Sequence, residues 1–302
     1  MTDKIAPPDL KQAESLLAEL FEEVKINEGT LRGIESNLGM GATTVESLKE
    51  TKVSFGNPRD NLILLTEETF KEIGVELTDA YRQQMHKVDF YYMTVAVNLY
   101  PRPGVKFWRL YCQLDFSPKG TYEPLVKTMF PQSDWQSLIK LGTGINLGLN
   151  ANLDWSVGID GSQIAQLANL PGNIKANVDN KNELKAYIVI PDYSYEMGFF
   201  EIVATGIDES TCQWRIEEPK IQNQATAKFA IVFRVPKGCQ SIDLEGTVWA
   251  EADIDWLVSY VSDLADILRN LLKRDKNEAA KKLSRGDQKK WTLPLATTSI
   301  NA

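Results

Sequence analysis

The sequence predicts an α+β protein, with an antiparallel, β-sandwich-like core flanked by an N-terminal heptad helix and an amphipathic C-terminal helix. Three observations predict it: strict two-residue alternation over residues 145–160, a seven-residue recurrence near the N-terminus, and a helical-period apolar stripe from Ile254 onward. Between the helical ends, short apolar runs separated by Gly, Pro, Asn and Asp follow one another without intervening helices. That spacing suits an antiparallel sandwich or barrel better than a parallel α/β sheet.

The alternating stretch is the sharpest signal. Ile145, Leu147, Leu149, Ala151, Leu153, Trp155, Val157 and Ile159 occupy every odd position, and every even position is Asn, Gly, Asp or Ser. A period of two is the period of a strand, whose side chains point alternately to its two faces. One reading is a sandwich-core strand, or two short strands joined at residues 150–152, with a covered outer face. The other is a hairpin arm that inserts in a bilayer. A barrel strand spans with about 9–11 residues, apolar outward and polar inward. In that reading Ile145, Leu147, Leu149, Leu153, Trp155, Val157 and Ile159 meet lipid.

The N-terminal helix is expected over residues 9–38, with Asp9 as its N-cap. Leu10, Leu17, Val24, Leu31 and Leu38 recur every seven residues, and Ala13, Leu20 and Ile34 supply a second seam position. Such a heptad reads as a coiled-coil or bundle helix. Leu10, Leu17, Leu20, Val24 and Leu31 are the candidate oligomerisation residues. The competing reading packs this helix on the chain's own β-domain. Gly29 and Gly33 weaken its second half, each costing up to about 1 kcal/mol against Ala. Residues 39–61 are read as a boundary rich in turn chemistry. The expected division is residues 1–61 as a helical segment and linker, 62–253 as a helix plus the β-rich core, and 254–302 as an amphipathic helix and basic tail.

A helix is expected over residues 66–81, opened by Thr66 and early glutamates. Residues 88–100 and 105–116 flank Pro101-Arg102-Pro103-Gly104 and read as a hairpin. Met93, Val95, Val97 and Leu99 share a face of the first strand; Trp108, Leu110, Cys112, Leu114 and Phe116 share one of the second. Residues 118–135 look irregular. Further strands are expected at 186–190, 199–205, 212–216, 227–235 and 242–252. The last helix carries Ile254, Leu257, Val258, Val261, Leu264, Ala265, Leu268, Leu271 and Leu272 at helical spacing. A basic patch of Lys273, Arg274, Lys281, Lys282 and Arg285 follows. Residues 281–290 are expected to be mobile and open to cleavage, as is the tail after Trp291.

Charge and motifs exclude several functions. With 41 acidic and 33 basic residues the net charge is -8, which opposes general binding to phosphate backbones. No apolar run reaches the roughly 18 residues of a spanning helix. Cys112, Cys212 and Cys239 are far apart and odd in number, so they form neither a zinc motif nor a disulfide framework; buried thiols in a reducing cytoplasm are expected. There is no P-loop, no dinucleotide fingerprint and no nucleophile elbow, and His86 is the one histidine. Glu251, Asp253 and Asp255 alternate at a strand end and are the candidate ligands for Ca²⁺ or Mg²⁺. The competing reading makes them helix N-terminal acids. No cofactor is expected.

The function expected from these features is a non-enzymatic cytosolic protein of interaction or self-assembly, with a protein partner or a second copy as ligand. The first alternative is a membrane-active, pore-forming effector, with residues 145–160 inserting after a terminal segment is released. The second is a ligand- or metal-binding sandwich hydrolase.

Overall fold

The alternating segments build two five-stranded antiparallel sheets and a smaller third sheet in the computed structural model, which describes residues 4–32, 39–68, 79–130, 136–140, 145–149, 187–191, 201–218, 221–223, 225–261, 265–273 and 275–296. Helices α1 (Leu10–Arg32) and α2 (Met40–Glu50) come first. Strands β1 (Lys52–Phe55) and β2 (Leu62–Leu65), helix α3 (Asp79–Met85) and strand β3 (Val88–Tyr100) follow. Next are β4 (Phe107–Ser117), β5 (Leu125–Phe130), β6 (Gln136–Lys140), β7 (Ile145–Leu149), β8 (Tyr187–Pro191), β9 (Glu201–Thr205), β10 (Thr211–Glu217), β11 (Thr226–Pro236) and β12 (Ser241–Ala252). Helices α4 (Ile254–Val261), α5 (Asp266–Leu272) and α6 (Lys276–Lys282) precede β13 (Arg285–Pro294).

Sheet 1 has the order β1-β3-β11-β5, with β2 also pairing β3, and sheet 2 the order β13-β12-β4-β10-β9. Their facing sides form the core. Met93, Val95, Val97 and Leu99 of β3 and Phe229, Ile231 and Phe233 of β11 are buried with Leu110, Cys112, Leu114 and Phe116 of β4 and Trp214 of β10. Burying each large side chain contributes about 1.5–3 kcal/mol. The α+β class and the sandwich-like core are as the alternation predicts.

Pairing departs from expectation at residues 88–117. The strands are there, but they are not a hairpin: β3 pairs with β1, β2 and β11, and β4 with β10 and β12. The connection crosses from one sheet to the other. Pro101 and Pro103 lack N–H groups, and a tight hairpin wants a two-residue turn of the Asn-Gly kind. The sequence here instead turns through Gly104 at φ 85, and Arg102 N–H donates to Thr51 Oγ1 at 3.0 Å.

The helices also differ. Residues 40–50, read as boundary, form α2. Residues 125–130, read as irregular, form β5 at the edge of sheet 1. The single C-terminal helix is three short ones. Residues 285–294 form β13, which pairs with β12 from Ser241↔Pro294 to Ala250↔Arg285. The expectation of a mobile segment at 281–290 is therefore corrected: it is the end of α6 and an edge strand. The helix expected at 66–81 falls mostly outside the described residues; α3 covers its end.

The heptad stripe faces inward. Leu17, Leu20 and Val24 are fully buried, in one cluster with Ala42, Val45 and Leu48 of α2, and Ala13 is nearly fully buried. Leu10 reaches Gly286 of β13, where an added Cβ would sit 2.7 Å from its Cδ2. The Leu31 side chain lies outside the described residues. This corrects the expected oligomerisation face, because the seam that a partner helix would enter is filled by the chain's own core.

One side of the sandwich is closed by side chains. Asp287 Oδ2 accepts from Phe55 N–H at 3.0 Å and Lys289 Nζ donates to Phe55 O at 3.0 Å, joining β13 of sheet 2 to β1 of sheet 1. Trp291 meets Phe55 edge to face at 5.3 Å.

Candidate functional site

The feature that sets this chain apart from a plain sandwich is the 70-residue excursion at 131–200. It leaves from β5, the edge strand of sheet 1, and returns as β9, the edge strand of sheet 2. Strand β5 runs antiparallel to β11, from Leu125↔Arg234 to Phe130↔Ala230, toward the end of the sandwich that holds residues 101–106. Strand β9 begins at that same end, with Glu201 opposite Glu217 and Glu217 opposite Arg109. Toward the other end the two edges are tied by the Asp208 N–H to Val126 O bond at 2.7 Å and the Val126 N–H to Glu209 O bond at 2.9 Å. The strands on either side of residues 131–200 thus end and begin at one corner of the sandwich.

Its described strands pair with each other as a third sheet, β6-β7-β8, antiparallel throughout. The register sets Ile139 opposite Leu147 and Lys140 opposite Asn146 on one side of β7. On the other side it sets Leu147 opposite Val189 and Leu149 opposite Tyr187. Strand β7 thus lies between β6 and β8. Of the candidate lipid-facing residues, Ile145, Leu147 and Leu149 lie on β7. Leu153, Trp155, Val157 and Ile159 fall outside the described residues.

The acidic trio does not converge. Glu251 is buried on β12 beside Arg109, whose Nη1 lies 3.7 Å from its Oε2. Asp253 Oδ1 accepts from Trp256 N–H at 3.0 Å and so caps α4. Asp255 pairs with Lys276 of α6. Among the described residues no group of three His, Cys, Asp or Glu is placed to hold a metal ion. The expected metal site is replaced by one buried ion pair, one helix cap and one surface pair.

The basic segment is dispersed too. Arg285 Nε donates to Thr51 O at 3.0 Å, with Glu14 3.8 Å away. Lys281 and Lys282 line a cleft of about 510 Å³ between α6 and the N-terminal part of α1, whose lining also includes Asp9, Glu19 and Glu278. Lys273 is exposed after α5, and Arg274 lies outside the described residues. Of the expected cationic patch, Arg285 is thus turned to Thr51 and Glu14, while Lys281 and Lys282 share a cleft with acidic residues. His86 sits exposed in the turn after α3. Of the crowded aromatics, Phe90, Tyr91, Tyr92 and Tyr111 are buried and Tyr100 is 57% exposed.

No family model matches the sequence, and no curated protein matches it. Solved structures similar to the chain include the Clostridium perfringens delta-toxin, at 12% identity and a TM-score of 0.29, over 67% of this chain and 78% of that one. A second is described as a pore forming protein, at 9% identity and a TM-score of 0.30, over 67% and 78%. A third is the Clostridium perfringens NetB toxin in its membrane inserted form, at 8% identity and a TM-score of 0.27, over 67% and 83%. Pore-forming toxins thus stand among its structural neighbours, at low identity and low TM-score.

Proposed function

We propose that this chain is a β-pore-forming protein whose segment 136–191, carrying the alternating run, enters a lipid bilayer. The observation that carries the reading is the excursion's attachment. The described strands of residues 131–200 pair among themselves, and the two sandwich strands that flank this segment, β5 and β9, end and begin at one corner. Such a segment can rearrange while the sandwich stays folded. The run 145–160 is long enough for the roughly 9–11 residues of a spanning strand, and its small polar positions suit a lumen. An open sheet edge cannot lie in lipid, so several copies must each contribute a hairpin to a closed barrel. The reading as a non-enzymatic interaction or self-assembly protein rests on the heptad seam and the lack of catalytic motifs, and Leu17, Leu20 and Val24 of that seam are buried in the core.

Dye release from vesicles of phosphatidylcholine and phosphatidylserine tests the proposal, before and after nicking with an Arg/Lys-specific protease. Release accompanied by large membrane-bound assemblies is expected. Leu147→Arg and Leu153→Arg place a cation on the lipid side, at about 2–4 kcal/mol per strand near the bilayer midplane, and should silence release with the sandwich's melting unchanged. No release in any condition, with β6–β8 equally protected from hydrogen exchange with and without vesicles, would overturn it.

A further inference from the structure

A cross-strand row runs over the outer face of sheet 2 at the end near residues 101–106. Glu251 on β12 lies opposite Arg109 on β4, Arg109 opposite Glu217 on β10, and Glu217 opposite Glu201 on β9. Arg109 is already committed elsewhere. Its Nε donates to Glu217 Oε1 at 2.8 Å, its Nη1 donates to Asn277 Oδ1 of α6 at 3.1 Å, and its guanidinium lies 3.4 Å from the Trp108 ring centre. At 3.7 Å from Glu251 Oε2 the same Nη1 makes an ion-pair contact without a hydrogen bond. That oxygen has no hydrogen-bond partner, and Glu251 is 2% exposed. Ser284 Oγ, buried just before β13, has none either. What covers this end of sheet 2 is α6, whose Ala279 and Ala280 are fully buried and whose capping Leu283 is too.

An ionised carboxylate here loses its hydration and regains a long ion pair with Arg109, the Trp249 indole and the more distant Lys281, less than its burial takes away; a neutral carboxyl gives up far less. We propose that Glu251 is a proton-operated latch for α6: protonated, it lets the helix seat on sheet 2, and ionised, it loosens residues 276–284. The latch acts on α6 whether or not the chain meets a membrane.

The groups around the carboxyl set its response. Arg109 and Tyr111 of β4, Glu217 of β10, Trp249 of its own strand and Lys281 of α6 act on it directly; Arg215 of β10 acts on Tyr111, and Asn277 of α6 holds Arg109. Burial pushes Glu251 from 4.5 up to about 7; Arg109, Trp249 and Lys281 pull it back, and Glu217 adds to the rise. When α6 lifts and water enters, the carboxyl returns to its ordinary range. The seated state therefore binds the extra proton. Its advantage is full below the ordinary value, is lost as pH climbs from there toward about 7, and stays lost above. Between pH 5 and 8 the opening equilibrium rises roughly 70-fold, from two carboxyl values of about 4.5 and 7.

Hydrogen–deuterium exchange of residues 276–284 in the whole protein, corrected for the intrinsic rate at each pH, reads this opening. In wild type, protection should fall by roughly 70-fold from pH 5 to 8 and then level off. Glu251→Gln should hold the low-pH protection throughout. Lys281→Met keeps Glu251 and removes a cation that lowers its value, so the midpoint should move up. A flat wild-type profile, an unchanged slope in Glu251→Gln, or an unmoved midpoint in Lys281→Met would overturn the latch.

Discussion

The carboxylate of Glu28 lies across the first turn of α2, taking the N–H of Gly41 at 2.9 Å and the N–H of Ala42 at 3.1 Å. The residue before α2, Gly39, offers no side-chain cap of its own. Five residues earlier on α1, Glu23 does the same for α5, accepting from Asp266 N–H at 2.6 Å and Ile267 N–H at 3.2 Å. Ala265 likewise caps nothing by side chain. One helix thus supplies the missing N-caps of two others, satisfying donors that each helix end leaves free.

Glu28→Ala should cost about 1–2 kcal/mol, the range for losing a helix cap with its charge. Glu28→Gln should cost less, because one acceptor oxygen stays. Gly39→Ala should destabilise through the same contact, since its Cβ would fall 2.2 Å from Glu28 Oε2. Urea unfolding of the three variants checks the order.

Substitution in the heptad should act on folding rather than on assembly. Leu20→Ala should cost about 2–5 kcal/mol, as a buried leucine does, and Leu17→Asp should unfold the helical layer. Ile26→Ala, on a residue 65% exposed, should change stability by less than about 0.5 kcal/mol. Light scattering beside the melts would separate the outcomes: a dissociated but fully folded Leu17→Asp would contradict the buried seam.

The seam between β1 and β13 should be measurable as a pair. Asp287→Ala leaves the Phe55 N–H without its acceptor, at a cost of about 1–3 kcal/mol. Lys289→Met removes the bond to Phe55 O. A double-mutant cycle should show coupling, because both bonds end on one residue.

Thiol chemistry should single out one cysteine. Burial pushes Cys112 and Cys212 up, the latter to about 12, while Cys239 is half-buried near the start of β12. A disulfide reagent at pH 8 should label one thiol quickly in the folded protein and three in guanidinium, since the thiolate is the reacting form.

Alternation made the long strands readable, because one face of β3, β4, β10, β11 and β12 is core. It could not say which strands pair, and so β3 and β4 looked like a hairpin. Strand β13 was hidden because Arg285-Gly286-Asp287-Gln288-Lys289-Lys290 carries charge where a half-buried strand carries apolar residues; side-chain bonds to β1 hold it. Helix α2 was hidden because its cap arrives from residue 28, out of reach of any local pattern. At the candidate site, the strand that the period of two predicts from Ile145 is β7 over residues 145–149, whereas the corner beside it depends on strand order. The buried state of Glu251 comes from packing between parts far apart in sequence, which has no local signature.

Helix α1 meets the last parts of the chain: Glu23 caps α5, Leu10 reaches Gly286, and Glu14 approaches Arg285. During synthesis α1 leaves the ribosome about 250 residues before those partners. At about 5–20 residues per second, those contacts wait roughly 10–50 s, whereas α2, which packs on Leu17, Leu20 and Val24, follows at once. The Leu10 end of α1 is therefore covered last. A truncation before β13 should leave Leu10 and Glu14 without those partners, and should be cleared by proteases rather than accumulate.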